Sequence, residues 1–262
     1  MAGAIGVFDS GVGGLSVLHH IRRLFPHERL LYVADSSHVP YGDKPASFIE
    51  QRSLALTRFL IEQGADAIVI ACNTATAAAI ATLRKHYTLP IIGMEPAVKP
   101  AVAATRSGVV GVLATTGTLE SARFAALLER YAGEVEIITQ GCPGLVEQVE
   151  RGDLLGTQTR SLIERYTVPL LAHGADTLIL GCTHYPFLIP LLREVVGPNI
   201  SLIDTGASVA RQLQRRMQTE LPRRIPGVAS AQFFTSGDSG QATRIMSLLW
   251  GQGITTQSLP HK

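Results

Sequence analysis

Residues 64–74 read GADAIVIACNT, and residues 174–184 read GADTLILGCTH. Four positions are identical (Gly64/Gly174, Ala65/Ala175, Asp66/Asp176 and Cys72/Cys182), and most of the rest exchange one apolar or small residue for another. The two cysteines stand 110 residues apart, as do the two glycines. Each copy is an apolar run of strand length that ends on a cysteine followed by polar residues. Each cysteine is therefore expected at the C-terminal tip of a buried strand, where the next helix begins. Two copies predict two similar lobes. If the lobes face one another, both thiols enter one shared cleft. Buried cysteine is most often an inert hydrophobe, so a repeated unit with packed cysteines is the plainer reading. Packing would tolerate Ala or Val at both tips, however, whereas both copies put a thiol where parallel sheets form their sites. The functional reading is favoured.

Outward from the repeat, short apolar runs alternate with longer amphipathic ones. Strands are expected at 5–8, 30–34, 67–71, 109–113, 135–139, 177–180, 201–203 and 232–235. Helices are expected at 13–25, 47–63, 74–85, 119–131, 158–172, 186–195, 208–217 and 241–250. This alternation argues an α/β protein whose two similar lobes each carry a parallel-rich sheet flanked by helices, with the active site between them. Lobe A is expected to comprise residues 1–95 plus 207–262 and to contain Cys72. Lobe B is expected to comprise 96–206 and to contain Cys182. Residues 220–230, with two prolines and a glycine, read as a connecting loop.

Hydrophobic residues make up 46% of the 262-residue chain and charged residues 17%, which argues a well-packed globular protein rather than a disordered one. The net charge is only +2, and the dense basic pairs Arg215-Arg216 and Arg223-Arg224 read as solvated charges, so no nucleic-acid partner is expected. No apolar run approaches a membrane span. The N-terminus lacks a basic leader, and Asp9 interrupts its apolar stretch, which is not a secretory pattern. A cytoplasmic protein with reduced thiols is expected. Three widely spaced cysteines, Cys72, Cys142 and Cys182, exclude a disulfide framework and a CxxC pair, and the eight histidines form no compact zinc pattern. Cys142, which has no counterpart in the repeat, reads as structural.

A cleft with one thiol on each face suits inversion of a stereocentre through a carbanion. One group removes a proton from one face while the other delivers a proton to the opposite face. A helix N-terminus or a hydrogen-bonding neighbour lowers a thiol's pKa; both cysteines precede expected helices, and His184 follows Cys182 closely. Other polar residues gather at strand tips. Asp9-Ser10-Gly11-Val12-Gly13-Gly14 is a glycine-rich turn into a helix that exposes N–H groups to an anion. It fits neither the dinucleotide fingerprint nor the P-loop. The carboxylate of a small acid suits it better, and a plain tight turn capped by Asp9 is an equal reading. Asp35 is followed by Pro40-Tyr41-Gly42, where the backbone can come close to a ligand. Thr115 to Thr118 supply donors or an ordinary N-cap. Asn73-Thr74 and Thr183-His184 are the strongest accessory candidates. Glu147 and Glu150 read first as solvated charges, although Glu150 could reach a cleft rim. A cysteine hydrolase is disfavoured, because Cys182 and His184, two apart on one segment, do not clearly form a Cys–His pair and Cys72 would be idle.

Taken in order, Phe8-Asp9-Ser10-Gly11 with Gly13-Gly14, Pro40-Tyr41-Gly42, Ala71-Cys72-Asn73-Thr74, Thr115-Thr116-Gly117-Thr118 and Gly181-Cys182-Thr183-His184-Tyr185-Pro186 resemble the glutamate racemases of the aspartate/glutamate racemase superfamily. The resemblance covers about residues 5–238. It implies racemisation of glutamate without a cofactor, Cys72 acting on the D-enantiomer and Cys182 on the L-enantiomer. Asp9 and His184 would assist the thiols. Ser10, Pro40, Tyr41, Gly42, Asn73, Thr74, Thr115, Thr118 and Thr183 would join them around the substrate. Glu150 and Asp35 are further candidates. The resemblance also implies a homodimer and a role in supplying D-glutamate for peptidoglycan. The segment 141–150 departs from the family's bulkier, more apolar stretch; its acidic residue is matched to Glu150. Some members carry a long N-terminal extension linked to activation by a cell-wall precursor, and the short N-terminus here argues against that regulation. The rival readings are a sister racemase or isomerase acting on aspartate or another small acid, and a two-lobed binding protein.

Overall fold

The computed structural model describes residues 3–131, 133–222, 225 and 228–260. Arg223 and Arg224, and part of the connecting loop expected at 220–230, lie outside them. Among the described residues, ten strands form two sheets: β1 (Ala4–Asp9), β2 (Arg29–Ala34), β3 (Ala65–Ile70), β4 (Ile91–Ile92), β5 (Val109–Ala114), β6 (Glu136–Gly141), β7 (Thr177–Leu180), β8 (Ser201–Ile203), β9 (Ser230–Thr235) and β10 (Thr256–Ser258). The first sheet has the order β10-β9-β2-β1-β3-β4 and the second β6-β5-β7-β8. Every pairing is parallel.

The repeat is visible in this topology. β2-β1-β3-β4 and β6-β5-β7-β8 share one winding pattern, and β3 and β7 hold the same place in it. In each sheet the chain reverses direction of winding beside the first-formed strand, which opens a crevice at the carboxyl ends of β1/β3 and of β5/β7. Those ends carry Asp9 and Cys72 in one lobe, Thr115 and Cys182 in the other. Gly64 and Gly174, the first identical pair of the repeat, both have left-handed backbones (φ +91° and +95°). This conformation turns the chain out of a helix and into the following strand, and glycine adopts it without a Cβ clash.

The central strands β1, β2 and β3 are buried along nearly their whole length, which is why they read as continuous apolar runs rather than alternating ones. A single apolar cluster crosses from lobe to lobe, joining Val12, Leu15 and Leu18 to Val146, Leu188 and Leu191. Separate clusters fill the outer faces of the two sheets. Among the described residues no helix is long and apolar enough to cross a membrane.

Some elements differ from expectation. The helix expected at 119–131 is two, Thr116–Leu119 and Ala122–Glu129. Ser121 separates them: its Oγ accepts from Phe124 N at 3.1 Å and restarts the helix. The first turn after Cys182 is a 3-10 helix, Tyr185–Leu188, and the α-helix starts only at Ile189. Strands β4 and β10 and the helix Val98–Ala104 carried no expectation, being too short to show a period.

Candidate active site

Cys72 leaves β3 in an extended conformation and caps the helix Asn73–His86, its Sγ accepting from Ala75 N at 3.4 Å. Cys182 stands two residues beyond the end of β7, as Cys72 does beyond β3. Both thiols line one cleft together with Ser10, Pro40, Tyr41, Gly42, Asn73, Thr74, Thr115, Thr118, Thr183 and His184. Ten of the residues singled out in the sequence as substrate contacts or thiol partners thus surround the two sulfurs, if the thiols themselves are set aside and Asp9, Asp35 and Glu150 are treated separately below. Val146 and Gly181 complete the wall.

Each thiol is backed by a polar chain that ends on a carboxylate. On one side, Cys72 Sγ contacts Ser10 Oγ at 3.8 Å, and Ser10 Oγ donates to Asp9 Oδ1 at 3.3 Å. Asp9 lies behind the cleft wall, fully buried, and also accepts from Ser10 N at 2.7 Å, Gly14 N at 2.6 Å and Thr183 Oγ1 at 3.3 Å. On the other side, Cys182 Sγ lies 3.6 Å from His184 Nδ1, and His184 Nε2 lies 2.7 Å from Glu150 Oε1. The same Glu150 oxygen accepts from Val12 N at 2.7 Å.

Three sequence expectations change here. The N–H groups of the glycine-rich turn do meet carboxylates: Asp9 caps the turn, as the second of its two readings had it, and Glu150 supplies the other. Cys182 and His184 do form a contact pair, because the backbone bends at Thr183 and brings the ring back onto the sulfur. Glu150, a solvated charge by its sequence context, is turned inward by the helix Leu145–Arg151 and is tied to the opposite lobe. Cys142 is buried outside the cleft lining, its Sγ donating to Gln140 O at 3.3 Å; burial pushes its thiol up to about 12.

The electrostatics of the two thiols differ. Burial pushes the Cys72 thiol well above its usual range, and the Asp9 carboxylate adds to this; the N-terminal amide of the helix, expected to lower it, only opposes that rise. Burial alone would lower the His184 imidazole, but its hydrogen bonds with Cys182 and Glu150 outweigh that and hold it well above the ordinary histidine value. Protonated His184 donates from both ring nitrogens, one toward sulfur and one toward carboxylate. Burial also raises Asp9, against the opposing charge of His184.

A raised folded value gives His184 a stability contribution that is fully present below the unfolded value of about 6.5 and is lost as pH rises through the folded value. Denaturant unfolding of the wild type and His184→Asn should therefore show a stability gap that is widest near pH 6 and narrows on the alkaline side. A gap independent of pH would contradict the assigned charge.

The lobes meet closely around these groups. A Cβ on Gly13 would run into the His184 ring, and one on Gly11 into the Glu150 carboxylate. Ser16 Oγ donates to Thr183 O at 2.9 Å across the same seam. Gly13→Ala is expected to displace the imidazole from Cys182, to reduce turnover by up to about 10²-fold and to lower the melting temperature, because the buried ring loses its contacts. Steady-state kinetics beside a thermal melt would show it.

In the same cleft, Thr74 Oγ1, Thr115 Oγ1 and Thr118 Oγ1 form a hydroxyl cluster with separations of 2.9–3.1 Å, drawn from both lobes. The Asn73 amide is buried with neither its oxygen nor its nitrogen partnered within the protein. A buried unpaired amide is unfavourable by about 1–3 kcal/mol unless a ligand satisfies it. Asp35 lies apart from the thiols, accepting from Tyr41 OH at 2.6 Å and from Arg52. Among the described residues no group of three or more His, Cys, Asp or Glu side chains is placed to hold a metal ion.

Comparison with known proteins decides the family. The model of the Asp/Glu/hydantoin racemases matches residues 5–213. The chain belongs to the Asp/Glu/hydantoin racemase family. It is 62% identical over 250 residues to a glutamate racemase of Ectopseudomonas mendocina, covering 95% of each chain, and 59% identical to one of Pseudomonas aeruginosa, covering 95% of this chain and 94% of that one. Among solved structures, Escherichia coli glutamate racemase, in complex with L-glutamate and the activator UDP-MurNAc-Ala, superposes with a TM-score of 0.87 at 33% identity over 98% of both chains. A glutamate racemase isoform of Bacillus anthracis gives the same TM-score at 30% identity, over 98% of this chain and 97% of that one. The enzyme is therefore an isomerase of the racemase type, with two α/β lobes. Two of its site groups had little sequence signal. Val146 is one apolar residue among many. Gly181 is marked by its match to Ala71, the small residue before the other cysteine, and by opening the motif around Cys182, but not as a site residue.

Proposed function

We propose that this racemase interconverts L- and D-glutamate by a two-thiol mechanism that needs no cofactor, Cys182 working on the L-enantiomer and Cys72 on the D-enantiomer. The observation that carries the reading is the pairing of two thiols across one cleft, each backed by its own chain to a carboxylate. The identity to glutamate racemases over nearly the whole chain supports glutamate as substrate.

Starting from L-glutamate, a thiolate on Cys182, balanced by protonated His184, takes the α-proton; the C–H bond breaks, S–H forms, and the electron pair stays on the α-carbon. The Cys72 thiol, kept protonated by burial and by the Asp9 charge, then gives its proton to the opposite face. The reverse reaction exchanges these roles. The α-hydrogen of an amino acid is much less acidic than a thiol. The carbanion therefore needs fixed donors, each contributing about 3 kcal/mol when well placed. Asn73 and the hydroxyls of Thr74, Thr115 and Thr118 suit the two carboxylates. Thr183 and His184, by contrast, direct their side chains to Asp9, Cys182 and Glu150.

The cavity between the thiols is only about 10 Å³, the size of a single water. Glutamate is far larger, so the lobes must part to admit it, separating the Val12–Glu150 and Ser16–Thr183 contacts, and close again for the proton transfers. The product, D-glutamate, would serve peptidoglycan synthesis. The direct assay incubates the purified protein, without added pyridoxal phosphate, with L-glutamate, D-glutamate and both aspartate enantiomers, and resolves the products by chiral chromatography. Conversion of glutamate in both directions is expected. Conversion of aspartate alone would reassign the substrate, and conversion of neither would overturn the reading.

A further inference from the structure

The Asp35 carboxylate is fully buried at the tip of β2, and its neighbours make it a junction. Arg52, on the helix Ala46–Glu62, donates from Nε to Oδ2 at 2.9 Å and from Nη2 to Oδ1 at 2.7 Å, a two-point grip. Tyr41 OH donates to Oδ2 at 2.6 Å, and His38 Nδ1 lies 3.1 Å from Oδ1. The phenol proton is thus committed to Asp35, while Tyr41 itself forms part of the cleft wall. The next residue, Gly42, packs directly on lobe B. A Cβ there would lie 2.9 Å from Thr115 Cβ, and a Cβ on Gly117 would lie 2.8 Å from Gly42 O. A displaced Tyr41 ring would therefore carry with it the wall that faces Thr115 and the thiols.

We propose that Arg52 is a positioning residue of the racemase site: its guanidinium clamps Asp35, and Asp35 in turn holds the Tyr41–Gly42 wall against Thr115 in the geometry that grips the substrate. This inference rests on the racemase reading above. Without the fork, Asp35 keeps Tyr41, His38 and Ser236, none of which grips it at two points, and the wall loses its fixed anchor. Lysine at the same position offers a single charge without the planar fork, so it replaces arginine only in part. The Arg52 side chain is 26% exposed and opens on a surface hollow of about 730 Å³ shared with His38, Arg58 and Glu62. That opening gives a small cation in solution a route to Asp35.

The test compares wild type, Arg52→Ala and Arg52→Lys for racemisation of both glutamate enantiomers, with and without low-millimolar guanidinium chloride, beside a thermal melt. The wall binds ground state and transition state alike, so the loss should fall mainly on KM. Arg52→Ala is expected to lower kcat/KM by about 10-fold to 10²-fold in both directions. Arg52→Lys should recover part of this, and guanidinium, but not sodium at equal ionic strength, should lower the KM of the alanine variant. An alanine variant within twofold of wild type overturns the proposal. So does a folded alanine variant that neither lysine nor guanidinium repairs, since that pattern marks a purely structural ion pair. If the alanine variant does not fold, Arg52→Lys decides alone: a raised KM supports the clamp and a wild-type KM refutes it. Failure of the wild type to racemise would sink the racemase reading instead; calorimetric binding of D-glutamate to the same variants would then read the wall without turnover, unequal affinities supporting the clamp and equal ones refuting it.

Discussion

Cys72→Ser and Cys182→Ser should each reduce racemisation by about 10⁴-fold, in both directions, while leaving the fold intact. The size follows from general acid–base catalysis, where one well-placed proton-transfer group contributes up to about that factor. A serine hydroxyl keeps the shape and the hydrogen bonds but ionises far less readily than a thiol. The loss must be bidirectional for a thermodynamic reason. Enantiomers have equal free energy in water, so kcat/KM for L and for D must be equal in every variant, and no single substitution can spare one direction. The two variants should nevertheless differ in partial reactions. Cys72→Ser keeps the group on the L-face, so it should still exchange the α-hydrogen of L-glutamate with solvent without inverting it. Cys182→Ser should do the same with D-glutamate. Proton NMR in heavy water on each enantiomer distinguishes the two, and exchange on the wrong face in either variant would reverse the assignment of the thiols.

His184→Asn is expected to lower kcat by about 10³-fold, the next largest effect. The imidazole is fully enclosed and bridges Cys182 Sγ and Glu150 Oε1. Burial works against its positive charge, and only the sulfur and the carboxylate together sustain it. Asparagine removes that charge, so in the proposed mechanism the sulfur of Cys182 loses the cation beside it. Solvent exchange at the α-position of L-glutamate should fall with turnover, whereas exchange of D-glutamate, begun by Cys72, should fall much less. Glu150→Gln should act in the same sense but more weakly, because the amide oxygen can still accept from Val12 N. Equal loss of exchange from both enantiomers in His184→Asn would show that the histidine serves the whole site rather than one thiol.

The repeat made most of this architecture legible. Two copies of one strand motif, each ending on cysteine, placed β3 and β7 at equivalent positions and brought both thiols to the crevices of two sheets wound alike. The short polar motifs after the other strands were equally readable as wall residues, because parallel strands deliver their C-terminal ends to one side. What stayed hidden depends on distances between lobes. Glu150 was a candidate, but its place was hidden: its bonds to Val12 N and to His184 join residues far apart in the chain. The glycine-rich turn read equally as an anion site or as a turn capped by Asp9; the cap is what forms, and the second carboxylate, Glu150, comes from the other lobe. Arg52 carried no signal at all, since an arginine in mid-helix is ordinary until Asp35 is found behind it. The break at Ser121 was missed for a local reason: its hydroxyl replaces a helical partner for Phe124 N, and apolar periodicity does not register such a substitution.

The most direct test of the two-thiol account incubates the purified protein with L-glutamate in heavy water, no cofactor added, and follows circular dichroism and the α-proton NMR signal together. The account predicts that the dichroic signal decays to zero while deuterium enters the α-position of the D-glutamate formed. A decay without deuterium in the product, or no decay until a cofactor is supplied, would contradict it.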